Sequence, residues 1–426
     1  MDYRNRIGVF GSYLCATAGI GFTLPFLPLY LGQEGLSDRA IGWISTCAAL
    51  AGLAQFPIGL WSDRLGTRKP FLLMALGLLS LSAVLLQGAH GTLWIGFLVI
   101  LFAENGICRA IIESLTGAEV TTLASRHEIG ATLGILRMWK PIGIVAVALF
   151  GSWYAEKYSI AAILAPVTAV QGLGFLAALL IHEPHRRRAH EISPGTGETS
   201  HRKTALLPRD PHVWAFVAAM VLFHAANAPG GVYLGLFLKR DLGAPDSVLA
   251  YAFVASMLAW MIVVWPAGKI ADRWGRRPLL ILGWGIMAVR LLIVAIAQTP
   301  GQIVFNQVLD GVSNGMFSVL AATWVTDRLA DQRRVGEAQV LVGTSLVFGS
   351  ALGPAVAAAL VDQLGYRGLF AGLAIVGAIA TAVVVLFVPE TLRRIPAKLN
   401  EPEIIPTETS TDLDLGTSIA TSRKNL

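Results

Sequence analysis

The residues best suited to chemistry are charges set among apolar neighbours. Glu104, Asn105, Arg109, Glu113 and Glu119 fall in one long apolar stretch, and Arg137 and Lys140 fall in the next. Asn105, Arg109 and Glu113 follow i, i+4, i+8 spacing, so they share one helix face on which Arg109 and Glu113 can pair. Glu119 and Arg137 lie nine residues either side of position 128. In an antiparallel hairpin they stand at similar depth, with Lys140 opposite Thr116. Two readings are open for these charges: a substrate or proton site, or an ion-pair network that fixes the hairpin. Arg290 and Asp310 lie ten residues either side of position 300 and pair across a second hairpin. They read as a structural salt bridge, although one acid with one base also suits a proton relay. His224 and Asn227 occupy a further apolar stretch, where the histidine serves either as a relay or as a hydrogen-bonded packing group.

Other chemistry finds no support. The eight histidines form no H-x-x-x-H pair, and Cys15, Cys47 and Cys108 make no metal-ligand cluster or disulfide pattern. There is no Walker-type phosphate loop. The sequence therefore predicts no metal, no cofactor and no catalytic set.

The charges need a scaffold that shields them, because a charge near a bilayer centre costs about 2.5–3.5 kcal/mol on insertion scales. The chain has 426 residues, 54% hydrophobic and 14% charged, against about 25% charged in soluble domains. Its apolar runs predict twelve transmembrane helices near 7–31, 40–61, 70–88, 93–119, 131–153, 160–182, 212–238, 247–270, 279–297, 302–326, 337–361 and 367–389. The first run is too long for a signal-peptide core and reads as a retained helix. Pro25 and Pro28 are expected to bend it, and Pro229-Gly230-Gly231 to break the seventh. The fold class is all-α integral membrane. The expected divisions are an N-terminal bundle over 1–182, a polar linker over 183–211, a C-terminal bundle over 212–392 and a disordered tail over 393–426.

Lysine and arginine concentrate in alternate loops, which places both termini in the cytoplasm. The net charge of +6 follows this topology and does not indicate nucleic acid. The expected location is the inner or plasma membrane, as a multi-pass monomer.

Two turns on the cytoplasmic side repeat. Gly59, Asp63, Arg64, Gly66 and Arg68 follow the second span, and Gly268, Asp272, Arg273, Gly275 and Arg276 follow the eighth. Asp63 and Asp272 stand 209 residues apart, as do Asn105-Gly106 and Asn314-Gly315. A constant offset across separate motifs marks a duplicated six-helix unit.

The pattern G-x-x-x-D-R-x-G-x-R-[KR] resembles the signature of the major facilitator superfamily; it appears at both repeat positions, with Pro278 at its last place in the second. The resemblance covers roughly residues 7–390. It implies a secondary transporter with a central cavity between two six-helix bundles that alternates access. It also implies a cytoplasmic latch. Gly59 and Gly268 allow close helix approach, and Asp63 and Asp272 sit against the N-termini of helices 11 and 5 in the opposite half, where the dipole favours a carboxylate. Glu119 to Gly143 is similar to the helix 4–5 hairpin of the oligosaccharide/proton symporter branch, whose acid and arginine match Glu119 and Arg137; Lys140 replaces a small residue there. Gly349-Ser-Ala-Leu-Gly353-Pro354 resembles a motif of drug/proton antiporters, although it lies in helix 11 and not helix 5. Phe102 stands where that branch has an arginine. The expected function is secondary transport of a small solute, coupled to protons. A passive facilitator and a transporter-like sensor are the alternatives, with a membrane enzyme behind both.

Overall fold

Apolar segments in lipid must close every backbone hydrogen bond internally, which a helix does within itself. The computed structural model describes residues 2–123, 129–182, 210–329 and 335–392, and these are almost entirely helical. The expected tail, and the linker up to residue 209, lie outside the described residues.

Helix α1 runs Tyr3–Thr23 and continues, bent by 52°, as Leu27–Gln33. The bend falls at Leu24-Pro25-Phe26, with Pro28 in the first turn of the second piece, as a missing N–H and a fixed φ require. There follow α2 (Asp38–Leu65), α3 (Lys69–Leu86), α4 (Thr92–Phe102 and Ile107–Leu123), α5 (Ile129–Lys157) and α6 (Ala161–Leu179). The second half comprises α7 (Pro211–Arg240), α8 (Asp246–Trp274), α9 (Arg276–Ile296) and α10 (Pro300–Leu329). The last stretch, Val335–Phe387, is nominally one helix of 53 residues. At 1.5 Å per residue it would be about 80 Å long, well over twice a bilayer core. Gly365, with φ 61° and ψ 178°, divides it into α11 (335–364) and α12 (366–387). Among the described residues twelve spans therefore result, six in each half.

Two expectations about helix continuity fail. The α4 span was expected to be continuous, but residues 103–106 leave the helix. Conversely, α7 runs unbroken through Pro229-Gly230-Gly231. The reason is packing. Gly353 of α11 lies so close that a Cβ there would meet the Ala225 carbonyl at 2.3 Å and Pro229 Cδ at 2.9 Å. Gly349 is equally tight against His224. The α11 glycines thus form the surface that braces the proline turn of α7, the close approach that small residues permit.

Within the first half α1 packs on α5 and α6, and α3 on α4 and α6; within the second, α7 packs on α11 and α8 on α10. The halves meet along α2 with α11 and α5 with α8.

Candidate functional site

A cavity of about 540 Å³ opens between the halves. The first half contributes Tyr13, Glu104, Asn105, Glu113, Arg137 and Lys140 to its wall. Lys140 of α5 donates to Glu113 of α4 at 2.5 Å, both side chains being about 70% buried, with exposures of 28% and 30%. Arg137, one turn earlier on α5, makes no hydrogen bond or ion pair among the described residues. Glu104 sits in the α4 break, half-buried.

Arg109 does not line the cavity and does not pair with Glu113. It is 1% exposed. Its Nε donates to the carbonyl of Phe102 at 2.9 Å and its Nη1 to the carbonyl of Ala16 in α1 at 3.1 Å. The break explains the difference. Once α4 unwinds, Phe102 loses its intrahelical donor, and a buried carbonyl without a partner is costly. Arg109 supplies that donor and ties the break to α1.

Glu119 likewise forms no ion pair with Arg137 among the described residues. It is buried at the far end of α4, with Arg68 Nη1 3.9 Å away. Arg68 also holds Asp63 at 2.7 Å and donates to the carbonyl of Ala118. The second half has the matching triad: Arg276 holds Asp272 at 2.9 Å and Asp327 of α10 at 3.0 Å. Arg68 and Arg276, like Glu119 and Asp327, are 208 residues apart, while the aspartates are 209 apart. The offset is 209 again at Asn105 and Asn314, so a one-residue change of register between there and Glu119 hid the relation between Glu119 and Asp327 from the sequence repeat. Arg64 and Arg273 are exposed on these turns, and Gly66 and Gly275 provide their positive φ values of 68° and 108°.

The contact that the resemblance implies for Asp63 and Asp272, against helices of the opposite half, is not seen among the described residues. Asp63 and Asp272 are 59% and 67% exposed and bond within their own turns. Gly59 has nothing within 4 Å of where a Cβ would stand, and Gly268 meets Val319 at an ordinary 3.5 Å. The opposite end is shut. Asp38, at the start of α2, accepts from Arg240 of α7 and from Tyr366 of α12, each at 2.5 Å. Tyr233 of α7 donates to the Asp38 carbonyl at 3.2 Å, and Thr46 of α2 to the Ala351 carbonyl of α11 at 3.1 Å. Gly42 permits this contact, since a Cβ there would lie 2.1 Å from the Tyr233 hydroxyl.

The second half of the cavity wall is more polar than its charge content implied. Arg290 of α9, 2% exposed, pairs with Asp310 of α10 at 2.9 Å and also donates to Asn227 of α7. Asn227 donates to Asn314, Asn314 to Asp310, and Ser256 of α8 to Asp310. Asn314 had been visible only as a repeat marker, and Ser256 carried no sequence signal. His224 also lines the cavity. It is 7% exposed, its Nε2 has no hydrogen-bond partner, and its ring stands edge-on to Phe223 and Phe317.

Twelve apolar helices in two duplicated halves, around a charged cavity shut at one end, define a membrane transporter. The chain belongs to the MFS_1 like family, which it matches over residues 8–372, and so to the major facilitator type. It is similar to the multi-drug resistance efflux pump PmrA of Streptococcus pneumoniae, with 25% identity over 86% of this chain and 91% of that one. It is also similar to the maltose permease of Geobacillus stearothermophilus, with 28% identity over 75% and 78% of the two chains. Among solved structures it shares the fold of the nucleoside transporter NupG, with a TM-score of 0.75 and 13% identity over 90% of this chain and 99% of that one.

Proposed function

We propose that the chain is a secondary active transporter that carries a small solute through this cavity by alternating access, coupled to protons. One observation carries the reading. The cavity wall runs from the Lys140–Glu113 pair of the first half to the Arg290–Asp310 pair of the second. A solute seated there touches both halves and senses their relative movement, which is what coupling requires. Phe253, Trp260 and Phe317 share the wall, which suits an amphipathic solute. The motif turns and both termini face the cytoplasm in this reading, so the Asp38 contacts close the outer side and the state is cytoplasm-facing. The chain acts as a monomer in the lipid bilayer. Arg109 and Glu119 hold the helices, while Glu104, Glu113, Arg137, Lys140, His224 and Asn227 face solute or proton.

The test is flux in liposomes with ethidium and maltose as probes, with and without an imposed pH gradient, alongside thermal shift of the purified protein. A ligand that binds the native state raises apparent stability by mass action. Gradient-dependent flux of either probe supports the proposal. Flux indifferent to the gradient makes the protein a facilitator. A thermal shift without flux makes it a sensor.

A further inference from the structure

The two halves treat the same dipeptide differently. Asn314-Gly315 lies within unbroken helix, where the Asn314 amide donates to the Asp310 carbonyl one turn back at 3.0 Å. Asn105-Gly106, its repeat equivalent, lies in the α4 break. Ala103 there has ψ 162°, and among the described residues the carbonyls of Glu104 and Asn105 accept no backbone hydrogen bond. Discontinuous helices at mid-membrane are where transporters of several folds place coupling ions.

Glu104 stands in this break on the cavity wall. Among the described residues its carboxyl makes no hydrogen bond and no ion pair. Two bases near it are already engaged: Lys140 with Glu113, and Arg109 with the carbonyls of Phe102 and Ala16. The same cavity wall carries Tyr13 from α1 and Arg137 from α5, with His224, Arg290 and Asp310 from the other half. Helices α2 and α3 carry their charges at their ends, Asp38 and Arg39 at the start of α2 and Asp63, Arg64 and Lys69 at the motif turn. A lone carboxylate at this depth is costly as an anion, and a proton removes that cost.

We infer that Glu104, in the break of α4, is the site that takes up and releases the coupling proton. The inference rests on the transporter reading above. With the proton in place, Lys140 stays with Glu113. When the proton passes to cavity water, a second carboxylate competes for Lys140 and draws α5 towards the break. Because α5 packs on α8 of the other half, the exchange reaches the interface between the halves.

The experiment needs no solute. Full-length protein in phosphatidylcholine liposomes, in choline chloride buffer, is followed by infrared difference spectroscopy as pH is raised. The expected result is a carboxylic-acid C=O band that disappears with rising pH, persists in Glu113→Gln and is absent from Glu104→Gln. Glu104→Asp, expected to retain a shifted band, guards against misfolding of the glutamine variant, and a melting curve on each variant checks the fold. A band unchanged in Glu104→Gln overturns the inference. So does titration that moves only when sodium replaces choline, because the break would then hold a metal cation. A titrating Glu104 in a protein that moves no solute would sink the transport reading and leave the proton site standing.

Discussion

Arg109 Nε reaches the Phe102 carbonyl at 2.9 Å and spans the gap in α4 with a side chain where a backbone turn is missing. The same guanidinium holds the Ala16 carbonyl of α1. Arg109→Ala should leave two buried carbonyls without donors, at about 1–3 kcal/mol each. Arg109→Lys should recover little, because a single ammonium cannot reproduce the planar fork. Melting of purified protein in detergent is the measurement. Both variants are expected to melt well below the parent, and a lysine variant as stable as the parent would refute the clamp.

Asp38 gathers Arg240 and Tyr366 at the shut end of the cavity. Arg240 is 43% exposed, so solvent screens part of this pair. A contribution of about 1 kcal/mol or less is appropriate. Asp38→Asn should therefore shift the population away from the state shown here by at most a few-fold, without loss of folding. Gly42→Val should act more strongly, since its side chain collides with Tyr233 and Ala358. Spin-label distances across the shut end would show both effects, and unchanged distance distributions in Gly42→Val would defeat the gate assignment.

The sequence was most informative where physics acts along the chain. Apolar length set twelve spans, and the 209-residue offset exposed the duplication, because both are properties of consecutive residues. It was least informative where a residue's partner comes from elsewhere. Arg109 and Glu113 had the right spacing to pair, yet the unwinding at 103–106 turned Arg109 to Phe102 and left Glu113 to Lys140. Their i, i+4 spacing is intact within Ile107–Leu123, but competing partners took both side chains, and nothing in Ala103-Glu104-Asn105-Gly106 forces a break that its repeat partner lacks. Pro229-Gly230-Gly231 failed in the opposite sense, because the glycines of α11 that brace it lie more than a hundred residues away. Asp38 carried no signal in the sequence, and only the approach of α7 and α12 makes it a hub.

Glu390 gives an acid-sensitive contact outside the membrane spans. Partial burial pushes its carboxyl up, but the backbone N–H groups of Leu392, Arg276, Arg277 and Thr391 outweigh that and hold it below the ordinary glutamate value. Arg276 and Arg277 donate at 2.9 and 3.0 Å, so Glu390 caps the start of α9. A depressed folded-state pKa contributes stability that is present above the unfolded value and lost as pH falls through the folded one. Glu390→Gln should cost no more than about 1 kcal/mol at neutral pH and flatten the fall in melting temperature on the acid side. Gly275→Ala should cost more, since it strains a φ of 108° and puts a Cβ 2.3 Å from the Glu390 carboxyl. A parallel acid profile in parent and Glu390→Gln would exclude the cap.

Asp310 neutralises Arg290, which is almost wholly buried, and also accepts from Ser256 and Asn314. Asp310→Ala leaves a buried guanidinium without its counter-charge, a loss of about 3–5 kcal/mol in comparable cases. The yield of folded protein in membranes should fall sharply. Removing both charges together, as Arg290→Gln with Asp310→Asn, should cost less than the sum of the single changes, because neither partner is then stranded. The double variant also separates two roles for the pair. If it only holds α9 to α10, stability and solute flux return together. If it takes part in proton or solute movement at the cavity wall, melting temperature returns while pH-driven flux of the responsive probe stays low. Additive losses in the double variant would show that the two side chains act independently, contrary to the contact seen here.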